Sequence, residues 1–319
     1  MKRPYIYIIG VGLLLSLAGC SDDEVSVNDD GQAIRFECHA PWFATRSVVN
    51  SISDLQGGSF GVFAYYTGSS DYASPAKPDF MYNQEVKYGS GSWTYTPLKY
   101  WPNGEGVASD DTGQGATQHK VSFFAYYPYS EALDAELSSP YQPTISYTWA
   151  AANDLLYDNT QKNLTKQAVN GKVSFNFRHA VALVEFKVRR KEATGSAITL
   201  KSLTINSNAN TSGAFNLVTK TWASTSGDNA QPLNHTTPDI DVTASEDASA
   251  QTVGTSVMIP GTVTFSYTIK YTVGDNNYTR SADMTSKELE KNTKYTVVFV
   301  IDGDAVDSYV LREREAEQW

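Results

Sequence analysis

Val263-Thr264-Phe265-Ser266-Tyr267-Thr268-Ile269-Lys270-Tyr271-Thr272-Val273, followed by Gly274-Asp275-Asn276-Asn277, decides the fold class. Apolar and aromatic side chains occupy every second position with polar ones between, the period of a strand with one face buried. The Gly-Asp-Asn-Asn that follows predicts a hairpin turn. Further on, Tyr295 to Ile301 is apolar on both faces and predicts a central strand. Upstream, Val173, Phe175 and Phe177 share one parity, whereas Ala182, Val184, Phe186 and Val188 share the other. A one-residue slip turns a strand's apolar set outward, so an extra residue or a bend is required near His179-Ala180-Val181. Ile198 and Leu200, then Leu203 and Ile205, show a second change of parity.

The first half repeats the pattern with aromatics. Phe60-Gly61-Val62-Phe63-Ala64-Tyr65-Tyr66, Ser92-Trp93-Thr94-Tyr95 and Val121-Ser122-Phe123-Phe124-Ala125-Tyr126-Tyr127-Pro128 are separated by clusters of Gly, Pro, Ser and Asp. Phe-Ala-Tyr-Tyr occurs at 63–66 and again at 124–127 with unmatched flanks, and it reads as two similar buried strands of one sandwich. Asn103 to Lys120, rich in Gly, Asp and Thr, reads as a loop. No segment sustains a helical period with caps. The expectation is an all-β chain of two tandem β-sandwich domains.

Composition agrees with a large packed core: 319 residues, 41% hydrophobic, with 20 tyrosines. A net charge of −10 and no long basic run argue against nucleic acid or an anionic membrane surface as a partner. Cys20 and Cys38 are the two cysteines. If Cys20 is acylated, Cys38 has no intramolecular partner, and packing rather than a disulfide must hold the fold.

The N-terminus reads as an export signal. Met1-Lys2-Arg3 is basic, the apolar run from Tyr5 to Leu17 is too short to span a bilayer, and Leu17-Ala18-Gly19-Cys20 is a lipobox. Cleavage is expected between Gly19 and Cys20, with Cys20 carrying the lipid. Ser21-Asp22-Asp23-Glu24 reads either as a surface-display signal or as a solvated acidic linker. Residues 20–32 are polar and form a tether. Ile34, Phe36 and Cys38 then alternate with Arg35, Glu37 and His39, predicting a short strand that ends before Ala44-Thr45-Arg46. The expected division is a signal at 1–19, a lipidated tether at 20–32, a first sandwich at 33–168 and a second at 169–319.

Taken in order, the lipobox, the Thr45-Arg46 segment, Gly61-Val62-Phe63-Ala64-Tyr65, Trp93-Thr94-Tyr95 with Tyr100-Trp101-Pro102, Val121 to Pro128 and Phe175-Asn176-Phe177-Arg178-His179-Ala180 resemble the fimbrillin family of bacterial pilus subunits. The resemblance covers nearly the whole chain. It implies two transthyretin-like β-sandwich domains, export to the cell outer membrane as a lipoprotein, and cutting by an arginine-specific protease between Arg46 and Ser47. Residues 33–46 would then be a removable strand. Removing a strand leaves unpaired backbone and an apolar floor, a template for another chain's strand. Ile34, Phe36 and Cys38 are the expected plug of that groove. The partners implied are other pilus subunits, the protease and, before processing, the membrane reached through the lipid.

The C-terminus supplies the candidate donor strand: Val306, Tyr309, Val310, Leu311 and the terminal Trp319, with charged residues from Arg312 to Glu317 that also suit a solvated tail. Other chemistry is poorly represented. His39, His119, His179 and His235 lack metal-ligand spacing, Asp110-Asp111 lies in no calcium loop, and no nucleophile elbow or phosphate loop occurs. No metal, cofactor or catalytic residue is expected. His179 reads as a packed or hydrogen-bonded core residue, and Trp93, Trp101 and Trp149 read as core rather than as sugar-stacking platforms. Two functions remain: a pilus subunit polymerised by strand exchange, or a surface lipoprotein that stays anchored, as a tip or anchor subunit or as an adhesin binding a glycan or protein.

Overall fold

A computed structural model describes residues 33–41, 49, 51–73, 77–102, 119–131, 142–150, 152–227 and 230–314. Gly19, Cys20, Ser21 to Glu24, Arg46, Ser47, Asp110, Asp111 and Trp319 lie outside them. The regular structure of the described chain is nearly all strand. Through residue 179 the strands are β1 (Arg35–His39), β2 (Ser59–Gly68), β3 (Met81–Gly89), β4 (Ser92–Thr94), β5 (Lys120–Tyr127), β6 (Thr144–Thr148), β7 (Leu156–Asp158), β8 (Lys172–Asn176) and β9 (Arg178–His179). All but β6 form one sheet in the order β8-β1-β4-β3-β2-β5-β7-β9. Its two outer strands, β8 and β9, are separated in sequence only by Phe177, so the sheet folds over until its ends meet. Inside it lie Ile34, Phe36, Cys38, Phe60, Val62, Val86, Phe123, Val173 and Phe175.

The doubled Phe-Ala-Tyr-Tyr lies at the middle of this sheet. β2 and β5 pair antiparallel with Phe63 opposite Phe124 and Ala64 opposite Phe123. Phe60, Val62 and Ala64 face the first core with Val121, Phe123 and Ala125. Phe63, Tyr65, Phe124 and Tyr126 face the other way, into a second apolar layer with Tyr147, Phe215, Leu217 and Val257. Burial on both faces is the reason these strands read as continuous apolar runs instead of alternating ones. Backbone and ring also meet closely here, since a Cβ on Gly61 would lie 2.2 Å from the Tyr126 ring. The ring cannot swing away freely, because its hydroxyl donates to Asn83 Oδ1 at 2.7 Å. Gly61→Ala is therefore expected to destabilise the protein by about 1–3 kcal/mol, measured as a lowered urea midpoint with unchanged slope.

The remaining strands are β10 (Ala182–Arg190), β11 (Ile198–Ser207), β12 (Ser212–Asn216), β13 (Thr221–Ser226), β14 (Leu233–His235), β15 (Ile240–Asp241), β16 (Gln251–Met258), β17 (Gly261–Val263), β18 (Phe265–Val273), β19 (Asn276–Asp283), β20 (Lys287–Leu289), β21 (Thr293–Asp302) and β22 (Ala305–Arg314). Sheets β16-β10-β21-β22 and β14-β11-β18-β19 share a third core, with Val184, Phe186, Val188, Leu203, Ile205, Tyr267, Ile269, Val297 and Phe299. As its apolar faces predict, β21 is central, parallel to β10 on one side and antiparallel to β22 on the other. The Gly274-Asp275 turn joins β18 to β19 with Val273 opposite Asn276 and Gly274 at φ +57°. The parity change on β11 is a register shift between Leu200 and Ser202.

The other parity change marks where the chain passes between bodies. Phe177 enters the first core, Ala180 and Val181 enter the layer beneath β2 and β5, and Ala182, Val184 and Phe186 enter the third core. β8 and β9 therefore belong with the first sheet although they lie beyond residue 168, the division expected from sequence. β8 joins that sheet as the hydrogen-bonded neighbour of β1. β6 crosses the other way, pairing with β12 and β13. Sequence reading also passed over α1 (Ile52–Gln56), a single turn and a half in which the Ser51 side chain accepts from the Asp54 N–H at 3.2 Å.

Candidate functional site

β1 is five residues long, yet it lies inside the first sheet, not on its rim. It runs parallel to β8 through five register pairs, Arg35 opposite Lys172 to His39 opposite Asn176. To its other neighbour, β4, it makes a single antiparallel pair, Phe36 opposite Trp93. Further backbone bonds extend both ends: Ile34 N–H donates to Lys99 C=O at 2.9 Å, Arg35 N–H to Gly171 C=O at 3.2 Å, and Phe177 N–H to His39 C=O at 3.1 Å. The Gly171 carbonyl also accepts from Trp101 Nε1 at 3.1 Å.

Period-two alternation sends Ile34, Phe36 and Cys38 into the core, where they are 1%, 4% and 5% exposed. The Phe36 ring stacks on Phe175 at 5.6 Å and meets Phe60, Tyr95 and Phe123 at 6.3, 5.2 and 6.0 Å. Desolvation pushes the Cys38 thiol up to about 12, which makes it a small apolar filler and not a nucleophile at neutral pH.

The opposite face of β1 is polar and tied to β8. Lys172 Nζ donates to Glu37 Oε2 at 2.5 Å, and Ser174 Oγ donates to Glu37 Oε1 at 3.0 Å. His39 Nε2 lies 3.1 Å from the same Ser174 hydroxyl. The Lys172 hydrogen bond, with lesser help from Ser174 and the lysine's charge, outweighs desolvation and holds the Glu37 carboxyl below its ordinary value of 4.5. A carboxylate depressed in the folded state stabilises it above the unfolded value, and that contribution is lost as pH falls through the folded one. Amide protection of residues 34–39, corrected for intrinsic exchange, is accordingly expected to be lower at pH 3 than at pH 6, and Glu37→Gln is expected to flatten that dependence.

The candidate donor residues lie elsewhere. β22 is paired with β21 along its whole length, from Ala305 opposite Asp302 to Arg314 opposite Thr293. Val306 and Val310 pack against the third core, while Leu311 is exposed. Tyr309 hydrogen-bonds through its hydroxyl to Asp247, which also accepts from Arg189 Nε at 2.7 Å. The segment that sequence leaves open between donor strand and solvated tail is, up to Arg314, a strand of its own sandwich.

Of the histidines, His39 is exposed and His235 half-buried, both hydrogen-bonded, and His119 is buried with Nδ1 2.7 Å from the Tyr66 hydroxyl. His179 is buried with Nδ1 3.0 Å from Asp154 Oδ1. Among the described residues no group of His, Cys, Asp and Glu is arranged to hold a metal ion. Trp101 is fully buried, and Trp93 and Trp149 are half-buried against the first and third cores. Sequence reading found β1 and missed its seat: Lys172, Ser174, Tyr95 and Trp93 are distant in sequence, and parallel pairing across more than a hundred residues leaves no local signal.

A strand from the N-terminal part of an all-β protein thus fills a slot between two other strands of one sheet. The fimbrillin-like family model matches residues 45–319, and the chain belongs to that family. Fimbrium subunit Fim1C of Phocaeicola vulgatus is 27% identical to it, over 96% of this chain and 94% of that protein. A crystal structure of a fimbrial protein from Bacteroides vulgatus superposes with a TM-score of 0.66 at 20% identity, covering 89% of this chain and 99% of that one. A proposed cell adhesion protein from Bacteroides ovatus superposes at 0.52 and 16% identity, covering 90% and 99%. Family membership supports a structural or adhesive role at the cell surface.

Proposed function

We propose that this chain is a structural or adhesive pilus subunit, exported as a lipoprotein through Cys20 and released for assembly by an arginine-specific cut between Arg46 and Ser47. The cut separates residues 20–46, with lipid and plug, from the body. A strand from another subunit then takes the place of β1. The observation that carries this reading is the position of β1: a short strand interior to its sheet, with Ile34, Phe36 and Cys38 in the core, and Arg46 following it in the sequence. Taking it out would expose the ladder groups of β8 and an apolar floor of Phe60, Tyr95, Phe123 and Phe175, which only another strand can cover well. The family match begins at residue 45, just past this strand.

A second reading is favoured by β22. Because it is already paired and its valines serve its own core, a subunit of this kind accepts a strand more readily than it gives one, which suits a terminal position in the pilus released from the lipid. Low-dose trypsin on the purified full chain tests both. Early cutting after Arg46 followed by a ladder of oligomers is the outcome expected for a stalk subunit. Cutting that leaves single subunits able to take up another subunit's strand fits the terminal position. Resistance at Arg46, or cutting with no uptake of any strand, sinks the strand-exchange reading.

A further inference from the structure

We propose that the seat of β1 chooses its occupant by a carboxylate: it takes a strand from a different pilus polypeptide, running parallel to β8, in which an aromatic side chain between two apolar ones is followed directly by Asp or Glu that Lys172 and Ser174 bind. This rests on the strand-exchange reading and adds the chemistry of the partner. The core side of the seat sets size. Four rings surround the position of Phe36, and Cys38, opposite Phe175, puts a small side chain into the same core. Apolar burial by itself tolerates a slip of two residues, because the same face stays inward.

The polar side removes that freedom. In register, Glu37 stands opposite Ser174 with Lys172 two pairs away on the same face, and each carboxylate oxygen has its own donor, at 2.5 and 3.0 Å. A slip of two toward the end of β8 would bring Glu37 opposite Asn176 and Arg35 opposite Ser174, so the carboxylate would lose its place opposite Ser174 and move two pairs further from Lys172. β8 is the side that must read the strand, since β4 contributes one register pair. The chain's own C-terminal strand does not satisfy the pattern: in Val306-Asp307-Ser308-Tyr309-Val310-Leu311 the aromatic is followed by valine, and the acid follows Val306. A second copy of β22 is therefore the wrong occupant.

Two arms test this on the full chain. In the intact protein, Glu37→Lys and Lys172→Glu are each expected to speed amide exchange of residues 34–39 about fivefold, and the double variant to return it to within about twofold of the parent. In protein cut after Arg46, fluorescent peptides compete for the seat: residues 33–40 with Cys38→Ser, the same peptide with Glu37→Lys, and residues 305–314. The first is expected to enter and the other two to be at least fivefold weaker, with the order of the first two reversed in Lys172→Glu protein. Equal entry of acidic and lysine peptides, equal entry of residues 305–314, or a double variant no better protected than the singles overturns the selection while leaving strand exchange intact. Entry of no peptide at all sinks strand exchange itself, and this proposal with it.

Discussion

Phe36→Ala is expected to lower the unfolding free energy of the intact protein by about 3–5 kcal/mol, the largest effect of any substitution on β1. The ring is 4% exposed and touches four other rings, two of them on strands on the far side of the core, so its loss opens a cavity that no neighbour can fill without leaving its own sheet. Urea denaturation followed by tryptophan fluorescence reads the effect, since Trp93 is the ladder partner of Phe36. Arg35→Ala, on the exposed face of the same strand, is the control and is expected within about 0.5 kcal/mol of the parent. In protein cut after Arg46 the same substitution acts on a non-covalent complex, and residues up to 46 are expected to be lost during gel filtration where the parent retains them. Equal stability of Phe36→Ala and Arg35→Ala would mean that the seat of β1 is not cooperative with the first core.

Arg46→Ala is the second large effect, and it is expected to be all or none: lipidated single subunits in cells and no polymer. The reasoning is one of effective concentration. While residues 33–46 are covalently continuous with the body, β1 competes for its seat as an intramolecular strand at roughly millimolar effective concentration, which a free donor of ordinary affinity does not match. Cutting converts it into a ligand that another subunit's strand can displace. Immunoblots of surface fractions from cells carrying Arg46→Ala check this, and polymers of that variant at the parent's level would overturn processing at this site. Arg46→Lys with a lysine-cutting protease added is expected to restore assembly, which separates the need for a cut from any need for arginine itself.

Much of the fold is legible in the chain because β periodicity is local. The alternation at 263–273, the turn at Gly274-Asp275, the apolar run at 295–301 and the bulge on β11 each depend on neighbours a few residues away. The same holds for β1 as a strand and for the inward set Ile34, Phe36 and Cys38. Pairing is different. That β1 lies next to β8, that β8 and β9 belong with the first sheet, and that β22 closes onto β21 are facts about residues brought together by the whole fold. The aromatic pair of strands shows the same limit: sequence indicates burial of Phe63 and Phe124, but the layer that buries their outer face comes from β6, β12 and β16.

By itself, then, the sequence determined the all-β character and a short amphipathic strand placed just before Arg46. Each is written in residue spacing or in a contiguous motif. Only the tertiary structure decided that this strand occupies the interior of a sheet, that Lys172 and Ser174 hold its carboxylate, and that the C-terminal strand is engaged in its own sandwich. Hydrogen-bond ladders between strands carry no sequence code of their own, because any extended backbone offers the same N–H and C=O groups; which strands meet is set by how the three cores close.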